Sequence, residues 1–247
     1  MKKYIFFNWK CHPLNWKEAG RLLLPLRNRE LLKRYKLIIC SPFIFLEKIK
    51  KDFKIDVCAQ NCFWEAKGGP FTGEISPLML KNIDCNYVIL GHSERKRVFN
   101  ETEEIINKKL KAVLSAGLQP ILFFGELKPM IKAAAKKEIV RQLKVLLAGI
   151  DKRFSPKILF VYEPAFGVST QGAKPLDFRE VEEKQMLVRK YLNNRFSLNP
   201  VILYGGSVDG GNLKSYLKET GIGGVVIGQA SVNSKKIEKV IKACLEI

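Results

Sequence analysis

The sequence predicts an α/β fold: a closed (β/α)8 barrel of eight parallel strands, spanning residues 1–247 as a single domain. Three observations lead there. Short β-rich apolar runs alternate eight times with amphipathic stretches, which implies a parallel sheet covered by helices. Eight repeats in 247 residues give about 31 residues each, the size of one βα unit. No Pro/Ser-rich linker divides the chain. An open doubly wound sheet would carry Gly-x-Gly-x-x-Gly after its first strand, where this chain has Asn8-Trp9-Lys10. The length alone would suit two small domains equally well. The unbroken rhythm decides for the barrel.

Each element follows from that rhythm. The first strand is expected at 4–8, and the long amphipathic stretch 16–33 follows it. Strands at 37–40 and 56–60 flank a shorter helix at 43–51. A second short helix, 77–82, precedes the strand at 87–91. Helix 103–116 leads to strand 119–124 and helix 133–147 to strand 158–163. Within the densest basic run, 128–144, the charges fall on the wet face of an amphipathic helix. Helix 176–193 precedes strand 201–205, helix 213–219 precedes strand 224–228, and helix 235–245 closes the chain. Val201-Ile202-Leu203 and Val225-Val226-Ile227 are continuous apolar runs, as strands buried on both faces should be.

Composition narrows the class. At 47% hydrophobic and 27% charged, the chain is neither disordered nor low-complexity. Its 43 Lys+Arg against 24 Asp+Glu give a net charge of +19. That is either a basic, well-solvated surface or an attraction to phosphorylated metabolites, nucleic acid or acidic membranes. The six cysteines, at 11, 40, 58, 62, 85 and 244, form no Cys-x-x-Cys pair, and there are two histidines. Neither a metal site nor a disulfide framework is expected. The apolar run 4–7 is too short for a signal peptide, and no stretch approaches a membrane span. A cytoplasmic location is the default expectation.

In a barrel of this type, chemistry gathers at the carboxyl ends of the strands. Those positions hold Asn8 and Lys10, Gln60-Asn61, His92-Ser93-Glu94-Arg95, Gly125-Glu126 and Glu163. Strands seven and eight end in Gly205-Gly206-Ser207 and Gly228-Gln229-Ala230-Ser231. Such glycine-rich turns before helices present bare backbone N–H groups to anions. Singly, each residue has an ordinary structural explanation. Together they place a base, an electrophile, a cation and an anion cradle on one rim.

Asn8-Trp9-Lys10, Gln60-Asn61, Phe71-Thr72-Gly73-Glu74, Gly91-His92-Ser93-Glu94-Arg95, Tyr162-Glu163-Pro164, Tyr204-Gly205-Gly206-Ser207-Val208 and Ala230-Ser231 resemble the motifs of the triosephosphate isomerase family, in order and spacing. The resemblance implies interconversion of dihydroxyacetone phosphate and D-glyceraldehyde 3-phosphate through an enediolate, a step of glycolysis and gluconeogenesis. It assigns Glu163 as base, His92 as electrophile, Lys10 as electrostatic stabiliser, Asn8 as substrate-placing and Glu94 as the acidic partner near that lysine. His92 opens a helix whose positive end favours a neutral imidazole. The resemblance further implies a mobile lid over 163–174. By the same resemblance, phosphate contacts are expected from the backbone N–H groups of Ser169, Ser207, Gly228 and Gln229. It implies no cofactor or metal, and a homodimer joined through loop 62–74. Nucleic acid is not an expected partner.

The chain departs from the family pattern in four places. The lid reads Pro164-Ala165-Phe166-Gly167-Val168-Ser169-Thr170-Gln171-Gly172, without the family's usual glycines at 169 and 171. Gln229 replaces a glycine, which narrows the pocket, and Phe123 replaces a common cysteine, read as a change of core packing. Cys11-His12-Pro13 alters the first loop. These changes predict at worst weaker turnover. Two other readings compete. A sugar-phosphate epimerase or indole-pathway lyase barrel would lack the Asn-x-Lys, His-Ser-Glu-Arg and Tyr-Glu-Pro set. A silent barrel that binds RNA or acidic surfaces would not need Lys10, His92 and Glu163 intact.

Overall fold

The computed structural model describes residues 2–167, 175–196 and 199–247. Eight strands close into a barrel in sequence order, every neighbouring pair parallel. They are β1 (Lys3–Asn8), β2 (Tyr35–Ser41), β3 (Asp56–Ala59), β4 (Tyr87–Leu90), β5 (Gln119–Phe124), β6 (Leu159–Tyr162), β7 (Ile202–Tyr204) and β8 (Gly224–Ile227). The helices are α1 (Trp16–Leu23), α2 (Arg29–Arg34), α3 (Phe43–Phe53), α4 (Pro77–Asn82), α5 (Ser93–Val98), α6 (Glu103–Ser115), α7 (Lys132–Leu146), α8 (Phe178–Phe196), α9 (Leu213–Glu219) and α10 (Ser234–Leu245).

Side-chain alternation along the strands builds two cores. Phe6, Ile38, Cys58, Ile89, Ile121, Val161, Leu203 and Val226 fill the barrel. Ile5, Phe7, Ile39, Val88, Leu122, Phe160 and Val225 point outward beneath the helices. Both faces are dry, so the strands read as unbroken apolar runs rather than alternating ones. The register Phe6↔Ile38 and Phe6↔Val226 sets interior residues of three strands side by side. At the carboxyl ends the inward parity runs on from Phe6 to Asn8, from Val161 to Glu163 and from Val226 to Gly228. Period-two geometry thus aims these positions at the barrel mouth.

One expected element is divided. The stretch 16–33 forms α1, a 3-10 turn at Leu24–Arg27 and α2. Pro25 lies at the start of that turn, where its missing N–H costs nothing. Asn28 then leaves helical geometry at ψ 114° and caps α2, its Oδ1 accepting from Leu31 N at 3.0 Å. α2 runs directly into β2, which begins two residues earlier than expected. All six cysteines are free thiols. Among the described residues no helix is long and apolar enough to cross a membrane.

Candidate active site

Asn8, Lys10, His92, Phe123, Glu163, Gly205, Gly228 and Gln229 line one pocket at the carboxyl end of the barrel. Lys10 follows β1 in a left-handed conformation, φ 55°, unusual for a residue with a side chain. Its amide donates to Asn8 Oδ1 at 3.1 Å. That turn sends the ammonium group to Glu94, whose Oε1 is 2.5 Å from Lys10 Nζ. Burial alone would push the Glu94 carboxyl up, but the hydrogen bond from Lys10 and the surrounding basic side chains outweigh it and hold it below the usual carboxylate range.

His92 follows β4 and caps α5. Its Nδ1 accepts from the Glu94 amide at 3.2 Å. A ring nitrogen that accepts carries no proton, so in the neutral ring the proton sits on Nε2. Nε2 lies 3.2 Å from Glu163 Oε1. The other carboxylate oxygen of Glu163, Oε2, accepts from the Ser93 amide at 2.8 Å. Base and imidazole thus touch each other and are both buried, at 4% and 7% exposure.

The strand ends around Glu163 approach closely. A Cβ on Gly205 would lie 2.7 Å from Val161 Cγ1, and one on Gly125 (φ 151°) would lie 2.2 Å from the Glu163 carbonyl oxygen. Gln142 of α7 clamps Gly125 from behind, accepting from its N–H at 3.1 Å and donating to its carbonyl at 3.0 Å.

The anion positions divide. Gly228 and Gln229 open a 3-10 turn, Gln229–Val232, whose first N–H groups have no acceptor within the turn. Ser231 Oγ fixes that turn to β1 through the Asn8 carbonyl, at 2.8 Å. Gln229 is exposed at the pocket edge. The Ser207 amide instead donates to the Gly167 carbonyl at 3.1 Å, so it is engaged by the base of the expected lid. Ser169, Gln171 and the lid from 168 to 174 lie outside the described residues.

Sequence similarity places this arrangement. A profile of the family described as triosephosphate isomerase matches residues 3–244. A triosephosphate isomerase of Dictyoglomus thermophilum is 39% identical over 251 residues, covering 98% of this chain and 99% of the relative. Those of Aquifex aeolicus and Lactobacillus delbrueckii subsp. lactis are 34% and 36% identical, over 98% and 91% of this chain and 99% and 91% of their own lengths. The chain belongs to the triosephosphate isomerase family. It is an enzyme of the isomerase class on the barrel that its sequence predicted.

Some residues shape this triosephosphate isomerase site in ways that the sequence reading did not assign to them. Phe123 fills the barrel, as a packing residue would, and also sets its ring 5.1 Å from the His92 ring. Glu101 and Lys109 pair in the interior behind α5. Arg95 Nε reaches the same Glu101 oxygen at 3.1 Å, and Lys109 Nζ also reaches Asn61 Oδ1 at 2.8 Å. This network ties α5, and so His92, to the loop after β3. Asn61 and Arg95 belong to rim motifs, but Glu101 and Lys109, the buried centre of the network, sit on none. Phe123 carried two signals, its inward parity along β5 and its departure from the family's common cysteine, and the departure was read as core packing alone.

Proposed function

We propose that this protein interconverts dihydroxyacetone phosphate and D-glyceraldehyde 3-phosphate, with Glu163 moving the carbon-bound proton. The Glu163 carboxylate takes a proton from C1 and returns it to C2. His92 Nε2–H donates to the oxygen that gains charge and passes the hydroxyl proton between O1 and O2. Lys10 lowers the energy of the enediolate by its positive charge, and Asn8 places the substrate. A preorganised donor aimed at such an oxyanion contributes about 3–4 kcal/mol. Acid–base catalysis contributes about 10²–10⁴-fold.

The observation that carries this reading is the pairing of Glu163 with both the Ser93 amide and His92 Nε2–H. A carboxylate with both oxygens so engaged is held beside the substrate site. It must leave those donors to reach a C–H bond, and His92 Nε2–H is then released to the substrate oxygen. Phosphate binding at Ser207, Gly228, Gln229 and Ser169 would drive that exchange through closure of the lid over 163–174. Closure excludes water from the enediolate. To bind phosphate, the Ser207 amide must first give up the Gly167 carbonyl. The chemistry calls for no metal and no cofactor.

We further infer that residues 1–247 form one barrel domain, that the protein is cytoplasmic, and that it is a homodimer. The support for the dimer is a run of exposed apolar side chains after four consecutive strands: Leu14 after β1, Ile44 after β2, Trp64 and Phe71 after β3, and Phe99 after β4. Phe63 packs against both Trp64 and Phe71 with tilted rings, at 4.2 and 4.7 Å between ring centroids. The loop that carries them, 62–74, is pinned at its base by Phe63 N donating to Ile75 O at 2.8 Å.

A coupled assay with triose phosphates tests the central claim. Wild-type protein turns them over, and Glu163→Gln loses about 10²–10⁴-fold in kcat. Glu163→Asp, which withdraws the carboxylate by about 1 Å, loses about 10²-fold. An inactive wild type, or a Glu163→Gln variant of normal activity, would refute it.

A further inference from the structure

The outer face of the barrel carries concentrated positive charge that the isomerase reaction does not use. A cleft lies between the loop after β7 and α10, lined by Asp209, Gly210, Lys214, Lys236, Lys239 and Lys242. Buried Ala243 forms part of its lining. The walls stand close because loop backbone rests on helix backbone. A Cβ on Gly210 would lie 2.7 Å from the Lys239 carbonyl carbon. Lys236, Lys239 and Lys242 recur at every third residue of α10, so each step climbs the helix by about 4.5 Å.

The nearby carboxylates do not neutralise this row. Glu246 pairs with Lys214 from α9, and Asp209 Oδ1 accepts from the Gly211 amide of its own loop at 2.8 Å. Among the described residues the Lys214–Glu246 pair is the one ion pair within the cleft lining. Lys236, Lys239 and Lys242 make no ion pair among the described residues, although Lys242 lies near enough to Glu246 to help hold its carboxyl low. The first turn of α10 holds Lys235 and Lys236 and no acidic residue, so the positive end of the helix dipole adds to the charge of Lys236, whereas Lys242 lies in the last turn. An anion among them relieves this mutual repulsion.

We infer that this cleft binds a small oligophosphate, whose two or three linked phosphate groups span the lysine row. Lysine serves such ligands as a mobile point charge. A single nucleic-acid strand fits less well, because its binding grooves interleave charge with aromatic side chains for base stacking and none of the lining residues is aromatic. The cleft shares no residue with the pocket at the barrel mouth, so the assignment stands apart from the catalytic reading.

Calorimetric titration of the intact protein with inorganic triphosphate at low ionic strength tests this. K236Q/K239Q/K242Q is compared with K132Q/K136Q/K190Q, which removes equal charge from the groove between α7 and α8. Unchanged thermal midpoints certify that both variants fold. The cleft variant is expected to lose at least about tenfold in affinity and the control to stay within about twofold of wild type. Equal losses would mean attraction by net charge alone and overturn the assignment. So would absence of binding, or an unchanged affinity in the cleft variant, which would place the ligand elsewhere. An RNA oligonucleotide binding more tightly than triphosphate through the same lysines would replace the small ligand with a polymer.

Discussion

Lys10 and Glu94 show how one residue pair can serve both site and stability. The left-handed turn at Lys10 stores about 1–2 kcal/mol of backbone strain. The hydrogen bonds to Asn8 and Glu94 hold it in place. Because the Glu94 carboxyl titrates lower in the folded chain than in the unfolded one, the unfolded state takes up its proton first as pH falls. The stabilisation is complete above the unfolded carboxylate value, about 4.3, and disappears as pH drops through the lower folded value. Glu94→Gln is therefore expected to lower the urea midpoint at pH 7. That deficit should stay constant down to about pH 5 and shrink below about pH 4. Midpoints measured across pH 3–7 check it; a deficit that grows towards acid contradicts the assignment. Asp56, held low by Lys36 and Lys50 against the upward push of its own burial, adds a term of the same sign.

Elements, not isolated residues, fix the base. Glu163 stands where β6 ends, and its carbonyl lies against the backbone of Gly125 at the end of β5. Only a residue without Cβ fits there, and φ 151° excludes side chains in any case. Gly125→Ala is expected to cost at least about 2 kcal/mol, read as a lowered thermal midpoint. It should also depress kcat by about 10²-fold, because a shift of about 1 Å in the base is enough. Gln142→Leu leaves the Gly125 amide and carbonyl buried without partners, a loss of about 1–3 kcal/mol. Full stability in Gly125→Ala would mean that β5 and β6 separate more easily than their packing implies. The elements themselves were largely legible in the sequence, since helix and strand periods report which face is dry. The division of 16–33 at Pro25 and Asn28 was missed because its apolar spacing continues across the break.

At the scale of the molecule, the exposed aromatic loop and the net charge of +19 act over longer distances. Trp64 and Phe71 are exposed, while Phe63 beneath them is buried. Trp64→Glu/Phe71→Glu is expected to give a monomer in sedimentation at micromolar concentration, whereas the wild type sediments as a dimer. A wild-type monomer would rule out the dimer. The positive field should speed the approach of a dianionic substrate, so kcat/KM should fall as ionic strength rises and the screening length drops below about 10 Å. A flat dependence would mean that the lysines screen one another and do not steer. The charge was visible from composition alone. Its concentration beside α10 was not, because Lys214 and the row 236–242 meet only when α9 and α10 pack together.

The amino-acid sequence alone determined the barrel, its strand order and the residues at the mouth: Asn8, Lys10, His92, Glu163, Gly228 and Gln229. Periodicity and strand ends are local properties, and a local pattern is enough to state which side chains point inward. Tertiary structure decided the rest. It engaged Glu163 with Ser93 and His92, occupied the Ser207 amide with Gly167, and set Phe123 against the imidazole. It also joined Arg95 and Asn61 to the buried pair Glu101 and Lys109 in one network. These contacts link residues that lie far apart along the chain, and their distances exist only once the strands have closed and the helices have packed. A hydrogen bond depends on tenths of an ångström, and no local pattern of residues encodes that.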